Sequence, residues 1–71
     1  MDEQDFQNAL SRDSRVSNMA KSGRLSTIQE NGTLTLIGKA KSFYEKQMAQ
    51  ECFRDFVARE NLQLKNEIVV G

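Results

Sequence analysis

Few side chains in this 71-residue chain are of the types that do covalent or acid–base chemistry. It has no histidine, one cysteine, and ten carboxylates against ten lysines and arginines. Cys52 lies on an apolar helical stripe, where a cysteine acts as a small hydrophobe, and no histidine is present to activate it. The carboxylates pair with nearby bases, and Gly32 and Gly38 lack the Lys-Ser/Thr sequel of a phosphate-binding loop. We therefore expect no enzyme activity, no metal and no cofactor.

One group of basic and aromatic residues is a candidate binding surface, and we call it the basic–aromatic cluster. Its members are Lys39, Lys41, Phe43, Tyr44 and Lys46. Phe43 lies off the apolar stripe of the helix that begins here, which predicts an exposed ring. A ring surrounded by lysines suits a lipid headgroup region or an acidic protein partner, because the ring inserts while the lysines meet anionic groups. The alternative is that Phe43 folds over the sheet edge and the lysines are simply solvated.

The charges balance overall but are unevenly distributed. Between Arg12 and Lys41 there are six basic residues and two acidic ones, whereas Met1–Asp5 carries three acids. Zero net charge gives no general attraction to nucleic acid. The chain also lacks a Gly-x-x-Gly clamp or another reading motif, so we expect no nucleic-acid partner.

Length and apolar content indicate one small domain without a membrane anchor. A chain of this size forms a single domain, and a lone cysteine cannot form an internal disulfide. The acidic start does not resemble a secretory signal, and no apolar run reaches the roughly 18 residues of a membrane span. We expect a cytoplasmic protein from the sequence as written, and a periplasmic or envelope-associated one if a leader has been removed.

The amino-terminal third is predicted to contain one helix and a polar connection. Phe6, Ala9 and Leu10 share one helical face, with Asp2 as the cap and an end near Arg12. The segment 13–22 is rich in serine, asparagine and charge, so we expect at most one short helical turn there, stopped by Gly23.

A β-hairpin is predicted around Asn31-Gly32, because a type I′ turn needs positive φ at both central residues. Its strands cover residues 24–30 and 33–40, and the turn pairs Glu30 with Thr33. Leu25, Thr27, Leu34 and Leu36 then share one face. Ile28 and Ile37 point to the other face. Either that outer face is partly covered, or a bulge near the turn shifts the first strand. Gly38, where the strand bends toward the next helix, is expected to allow either a close backbone approach or a bulge.

The carboxy-terminal half is predicted to be a helix followed by a strand. Ser42 and Glu45 form a capping box in which Ser42 accepts from the Glu45 amide and Glu45 reaches back to the Ser42 amide. The helix runs to about Ala58 with its core face at Ala49, Cys52, Phe53 and Phe56. The strand covers 62–70, and Asn66 interrupts its apolar face. We expect Asn66 to bond nearby backbone or, alternatively, to contact a ligand.

These elements predict an α+β fold of order α-β-β-α-β. A hairpin is antiparallel, whereas a strand–helix–strand unit favours a parallel crossover. The expected architecture is therefore a mixed three-stranded sheet of order 1-2-3 with two helices packed on one face.

The three segments 31–38, 42–50 and 64–70 resemble the BON domain, a bacterial module named partly for osmotic-stress and nodulation proteins. They follow its glycine turn and closing glycine, its second helix and its last strand. The resemblance is strong over 24–71 and looser over 2–23. Two features depart from the pattern: residues 59–62 replace a glycine-valine turn, with Asn61 as the left-handed residue, and Thr27 and Gln29 dilute the first strand.

This resemblance implies one BON-like domain over residues 1–71 that binds phospholipid membranes or envelope-associated partners. BON domains usually occur in exported, often two-domain proteins. We therefore expect a non-catalytic binding module for a membrane surface or a protein partner. The alternative is a homo-oligomeric interaction domain without lipid binding, because free strand edges invite pairing with a second copy.

Overall fold

A computed structural model describes residues 3–71, without the side chains of Glu3 and Asp5. The predicted cap at Asp2 lies outside these residues. The described part of the chain forms, in order, α1 (Glu3–Leu10), α2 (Ser14–Lys21), β1 (Leu25–Glu30), β2 (Thr33–Ala40), α3 (Phe43–Arg59) and β3 (Gln63–Val70).

The three strands form one mixed sheet of order β1-β2-β3, as predicted. β1 pairs antiparallel with β2, with Glu30 opposite Thr33, and β2 pairs parallel with β3. Asn31 and Gly32 have φ of 52° and 76°, which is the geometry that the Asn-Gly turn predicts. The pairing between β1 and β2 is continuous and contains no bulge. The outer face of the sheet is instead left open, and Ile28 is 47% exposed.

The core lies between the inner face of the sheet and the helices. α3 packs on β2 and β3, α2 packs on β1, and α1 packs on the other two helices. The Phe6 ring lies 5.5 Å from the Phe53 ring and 5.7 Å from the Phe56 ring, measured between centroids. The largest fully buried side chains are Phe53, Phe56, Met19, Leu34, Leu36, Ile68 and Val16. The predicted core stripe of the long helix is therefore confirmed.

The expectation of two helices is wrong, because residues 14–21 form a helix of their own rather than a single turn. The Asp13 side chain caps α2 by accepting from the amides of Arg15 and Val16. Val16 and Met19 do not continue the stripe of α1, but they are i, i+3 neighbours on α2 and both are fully buried. Gly23 ends this helix with a φ of 82°, as predicted.

Gly38 allows an approach that no other residue could make. Its φ is 152°, and a Cβ at this position would lie 1.8 Å from the Arg24 carbonyl oxygen. The same carbonyl accepts a 2.9 Å hydrogen bond from the Lys39 amide. Gly38 therefore holds the start of β1 against the end of β2.

None of the helices in the described residues combines the length and the apolar character that crossing a membrane would need.

Candidate functional site

The basic–aromatic cluster lies at one end of the sheet, where β2 ends and α3 begins. Lys39 is the next-to-last residue of β2, and Phe43 is the first residue of α3. The parallel register places Val69 beside Lys39 and Val70 beside Ala40. We call this end, which carries the cluster, the cluster end. The opposite end, with Asn31-Gly32 and Asn61, is the turn end.

The aromatic members of the cluster are exposed at the surface. Phe43 is 69% exposed and Tyr44 is 54% exposed, while Val69 on the neighbouring strand is 61% exposed. Lys39 and Lys41 are exposed as well, and Lys46 is half-buried. The structure therefore brings the predicted residues to one end of the molecule. It adds two valines that pattern reasoning did not assign to the cluster.

Two arginines from distant parts of the sequence also reach this end. The Arg15 guanidinium lies 5.2 Å from the centroid of the Tyr44 ring, a cation–π distance. Arg24 forms an ion pair of 3.4 Å with Glu45. Arg15 could not be linked to the cluster from sequence spacing, because α2 reaches it only through tertiary packing. Arg24 could be, because the predicted hairpin register places it opposite Lys39.

The first turn of α3 is fixed by a cap that differs in part from the prediction. The Ser42 hydroxyl accepts from the Glu45 amide at 3.2 Å, as expected. The Glu45 carboxylate, however, accepts from the Lys41 amide at 2.8 Å, so the predicted bond to the Ser42 amide is wrong. The same carboxylate oxygen lies 3.4 Å from the Arg24 guanidinium. These contacts lower the Glu45 pKa from 4.5, the Lys41 amide most of all.

The electrostatics of the cluster end favour an anionic ligand. α3 has 17 residues, and the positive end of its dipole lies at the cluster. Lys41 precedes that end and Lys46 lies in the first turns of α3, while Arg15 lies against the Tyr44 ring. Lys39 is at the end of β2, on the strand side opposite to the buried Ala40. Glu45 is engaged by the Lys41 amide and Arg24, so the cations outnumber the free carboxylates at this end.

A shallow groove of about 260 Å³ continues from the cluster along α3 to the edge of β3. Phe43, Lys46, Gln47, Gln50 and Asn66 line it. The side-chain nitrogen of Asn66 donates to the Lys46 carbonyl at 3.0 Å and to the Gln50 side chain at 3.3 Å. Its side-chain oxygen accepts from the Ile68 backbone amide at 3.1 Å. Asn66 thus bonds nearby backbone, which was the first of its two predicted roles, and it fixes α3 to β3.

The remaining candidate residues serve the fold. Asn31 and Gly32 form the turn, and Gly38 allows the backbone approach described above. Cys52 is 4% exposed, and burial raises the pKa of its thiol, which keeps it protonated at neutral pH. In residues 3–71, we find no group of three or more potential ligand side chains placed to hold a metal ion.

Comparison of the chain with protein-family models, with curated proteins and with solved structures gave no match. The resemblance to BON domains is therefore carried by the quoted residues alone.

Proposed function

We propose that this chain is a non-catalytic binding module whose basic–aromatic cluster recognises an anionic phospholipid surface. The observation that carries the proposal is the 69% exposure of Phe43 at a helix start that has Lys41 and Lys46 close by in the chain. A ring of this size is ordinarily buried in a small domain, because its removal from water is one of the larger gains in folding. Its exposure beside positive charge suits insertion at a headgroup interface.

Each part of the cluster has a separate physical role in this proposal. Phe43 and Tyr44 enter the boundary between headgroups and acyl chains, where an aromatic ring is favoured. Lys39 and Lys41 remain at the level of the phosphates, and each contributes about 1 kcal/mol near an anionic membrane. Two rings and a few lysines give weak, reversible binding that depends on salt.

The similarity of three segments to BON domains supports the same ligand class, since that resemblance implies phospholipid binding. The zero net charge of the whole chain does not argue against phospholipid binding. Attraction to a membrane depends on the local surface within a Debye length, about 10 Å at 0.1 M salt, and not on the net charge.

The proposal is tested by co-sedimentation with vesicles of phosphatidylcholine, with and without phosphatidylglycerol, at low and at physiological salt. We expect binding only to the vesicles that contain phosphatidylglycerol, and weaker binding as salt rises. The double variant Lys39→Glu/Lys41→Glu should reduce binding by more than about tenfold, because two attractive charges become repulsive.

The matched control is Arg54→Glu/Arg59→Glu, which changes the net charge by the same amount on the part of α3 that leads to the turn end. It should retain binding to within about threefold, since its charges lie away from the cluster. Equal loss in both double variants would show a general charge effect and overturn the proposal. So would absence of binding at low salt, and binding to polyglutamate without binding to vesicles would assign the cluster to an acidic protein partner.

A further inference from the structure

On the side away from β2, β3 presents a row of backbone groups that no other described strand covers, although the Ile68 amide donates to the Asn66 side chain. The Gln63 amide donates to the Gly32 carbonyl at 2.9 Å and the Gly71 amide to the Ala40 carbonyl at 3.2 Å, so the odd-numbered residues face β2. Backbone groups alternate in direction along a strand, so those of Leu64, Asn66 and Ile68 face away from the sheet. Within the described residues no strand lies beyond β3. Such an edge is a template for another strand.

We propose that the free edge of β3 pairs with β3 of a second copy, antiparallel, with the two Asn66 residues opposite each other. The pair extends the sheet of one copy into that of the other. This inference is independent of the proposed function, because the edge is distinct from the lysines and rings at the cluster end.

The charges on β3 select this register. Two copies related by a twofold axis can pair only in registers that keep inner side chains opposite inner ones, which restricts shifts to steps of two residues. With Asn66 opposite Asn66, Lys65 of each copy lies opposite Glu67 of the other, so two complementary pairs form. A shift in one direction places Lys65 opposite Lys65, and a shift in the other places Glu67 opposite Glu67. Like charges directly opposite destabilise a pair of strands.

The same register also matches the inner face of the sheet. Leu64 of one copy lies opposite Ile68 of the other, on the side of the sheet that the helices cover. Leu64 is only half-buried in the single chain, whereas Leu34, its partner on β2, is 1% exposed. The core is therefore open towards this edge, and a second copy would cover Leu64.

The other free edge offers no comparable match. β1 consists of Leu25–Glu30 and contains one acid and no base. Self-pairing about Thr27 would place Arg24, the residue before β1, opposite Glu30, but the Arg24 guanidinium is already paired with Glu45 and its side chain is only 31% exposed. Charge complementarity thus distinguishes β3 from β1 as the edge that receives a second copy.

Asn66 weakens the association and keeps it reversible. Its side-chain oxygen accepts from the Ile68 amide, which is one of the donors that the second copy needs. The Asn66 side chain must turn away before that bond can form between the copies. We therefore expect a weak dimer that appears at high protein concentration.

Sedimentation equilibrium of the full chain and of three variants tests the proposal. The wild type should show a monomer–dimer equilibrium below about millimolar concentration. Lys65→Glu and Glu67→Lys should each weaken the dimer about tenfold, because each single change puts two like-charge pairs in place of two attractive ones. The double variant Lys65→Glu/Glu67→Lys restores opposite charges across the axis and should restore the dimer.

Both changed side chains are exposed, so folding is expected to be retained in every variant, as far-UV circular dichroism will verify. Amide exchange adds a readout of the edge itself: the Asn66 amide should exchange more slowly as concentration rises, while the amide of Thr27 on β1 should not. A wild type that stays monomeric, or a double variant no better than the singles, overturns the proposal. Vesicle binding by Lys65→Glu is expected to persist either way, which separates this outcome from that of the proposed function.

Discussion

The two ends of the sheet differ in what their residues do. At the turn end, the residues of unusual conformation are Asn31, Gly32 and Asn61, whose positive φ values form two turns that the fold requires. The Gln63 amide joins these turns through its bond to the Gly32 carbonyl. At the cluster end, Phe43 and Tyr44 are exposed and no described contact of the core depends on the Phe43 ring. Residues whose conformation the fold requires can thus be distinguished from exposed residues on which the fold does not depend.

The charges follow the same division. The turn end carries Glu30 and Glu60 beside Arg59, whereas the cluster end carries Lys39 and Lys41 beside the positive end of α3. A zero net charge conceals this polarity. The comparison predicts that substitutions at fold-required positions change the free energy of unfolding, and that substitutions in the cluster change binding alone.

The largest expected effect on stability is that of Gly38→Ala. Its Cβ would overlap the Arg24 carbonyl, and the φ of 152° is unfavourable for alanine. We expect the free energy of unfolding to fall by about 3 kcal/mol or more, measured by urea denaturation. Gly38 is next to Lys39 of the cluster, but the fold requires it. The variant therefore tests whether a residue at the cluster end can be needed for stability without being part of the binding surface.

Gly23→Ala is the matched control, because Gly23 also has positive φ but has no atom near its missing Cβ. It should cost about 1 kcal/mol, the left-handed conformation alone. Equal losses in the two variants would show that strain at φ, and not the approach of β1 to β2, explains the requirement for glycine at position 38.

At the turn end, Asn61 should contribute a smaller amount through its backbone conformation. It ends α3 with a φ of 56°, and the Leu62 amide returns to the Val57 carbonyl at 2.8 Å. Asn61→Ala should cost about 1 kcal/mol in unfolding free energy, whereas Asn61→Gly should change it by only a few tenths. A comparable loss in both variants would mean that the asparagine side chain, and not its left-handed backbone, stabilises the turn.

Local sequence signals were sufficient for most of the fold. The Asn-Gly turn, the Ser42 cap and the apolar alternation of β3 each correspond to one short segment whose geometry is fixed by its own residues. The helix α2 was not predicted, because residues 13–22 are mostly polar and Val16 and Met19 do not continue the apolar stripe of α1. Asp13 as a cap and Gly23 as a stop are the local signals that define a separate helix.

The candidate site could be predicted only in part, because its composition depends on tertiary packing. Residues 39–46 are adjacent in the chain and were found together. The parallel register that places Val69 beside Lys39 and Val70 beside Ala40 follows from the predicted pairing of β2 with β3. The position of these two valines could therefore have been predicted from the sequence. Arg15 stacks on Tyr44 only because α2 exists, and missing that helix removed the contact as well.

A smaller, pH-dependent effect is expected from Glu45, which joins the cap of α3 to Arg24. Its pKa is lowered from 4.5, mainly by the Lys41 amide. A carboxylate with a lowered pKa in the folded state adds stability above its unfolded pKa, and this contribution is lost as pH falls below about 4.5 towards the folded value. Unfolding free energies measured from pH 7 down to pH 3 should fall less steeply for Glu45→Gln than for the wild type. An equal pH dependence of the unfolding free energy in the two proteins would show that the Glu45 carboxylate does not stabilise the start of α3.

The smallest expected effect on stability, and the sharpest test of the comparison, is that of Phe43→Ser. Because the ring is 69% exposed, its loss should change the unfolding free energy by less than about 0.5 kcal/mol. Serine is also well tolerated near a helix start. The same variant should lose most of its binding to vesicles that contain phosphatidylglycerol, since the lysines alone hold the protein at the surface without insertion. Unchanged stability with lost binding would show that the ring serves the membrane; a loss of stability comparable to that of Asn61→Ala would show instead that the fold requires Phe43, and the two ends would no longer differ in kind.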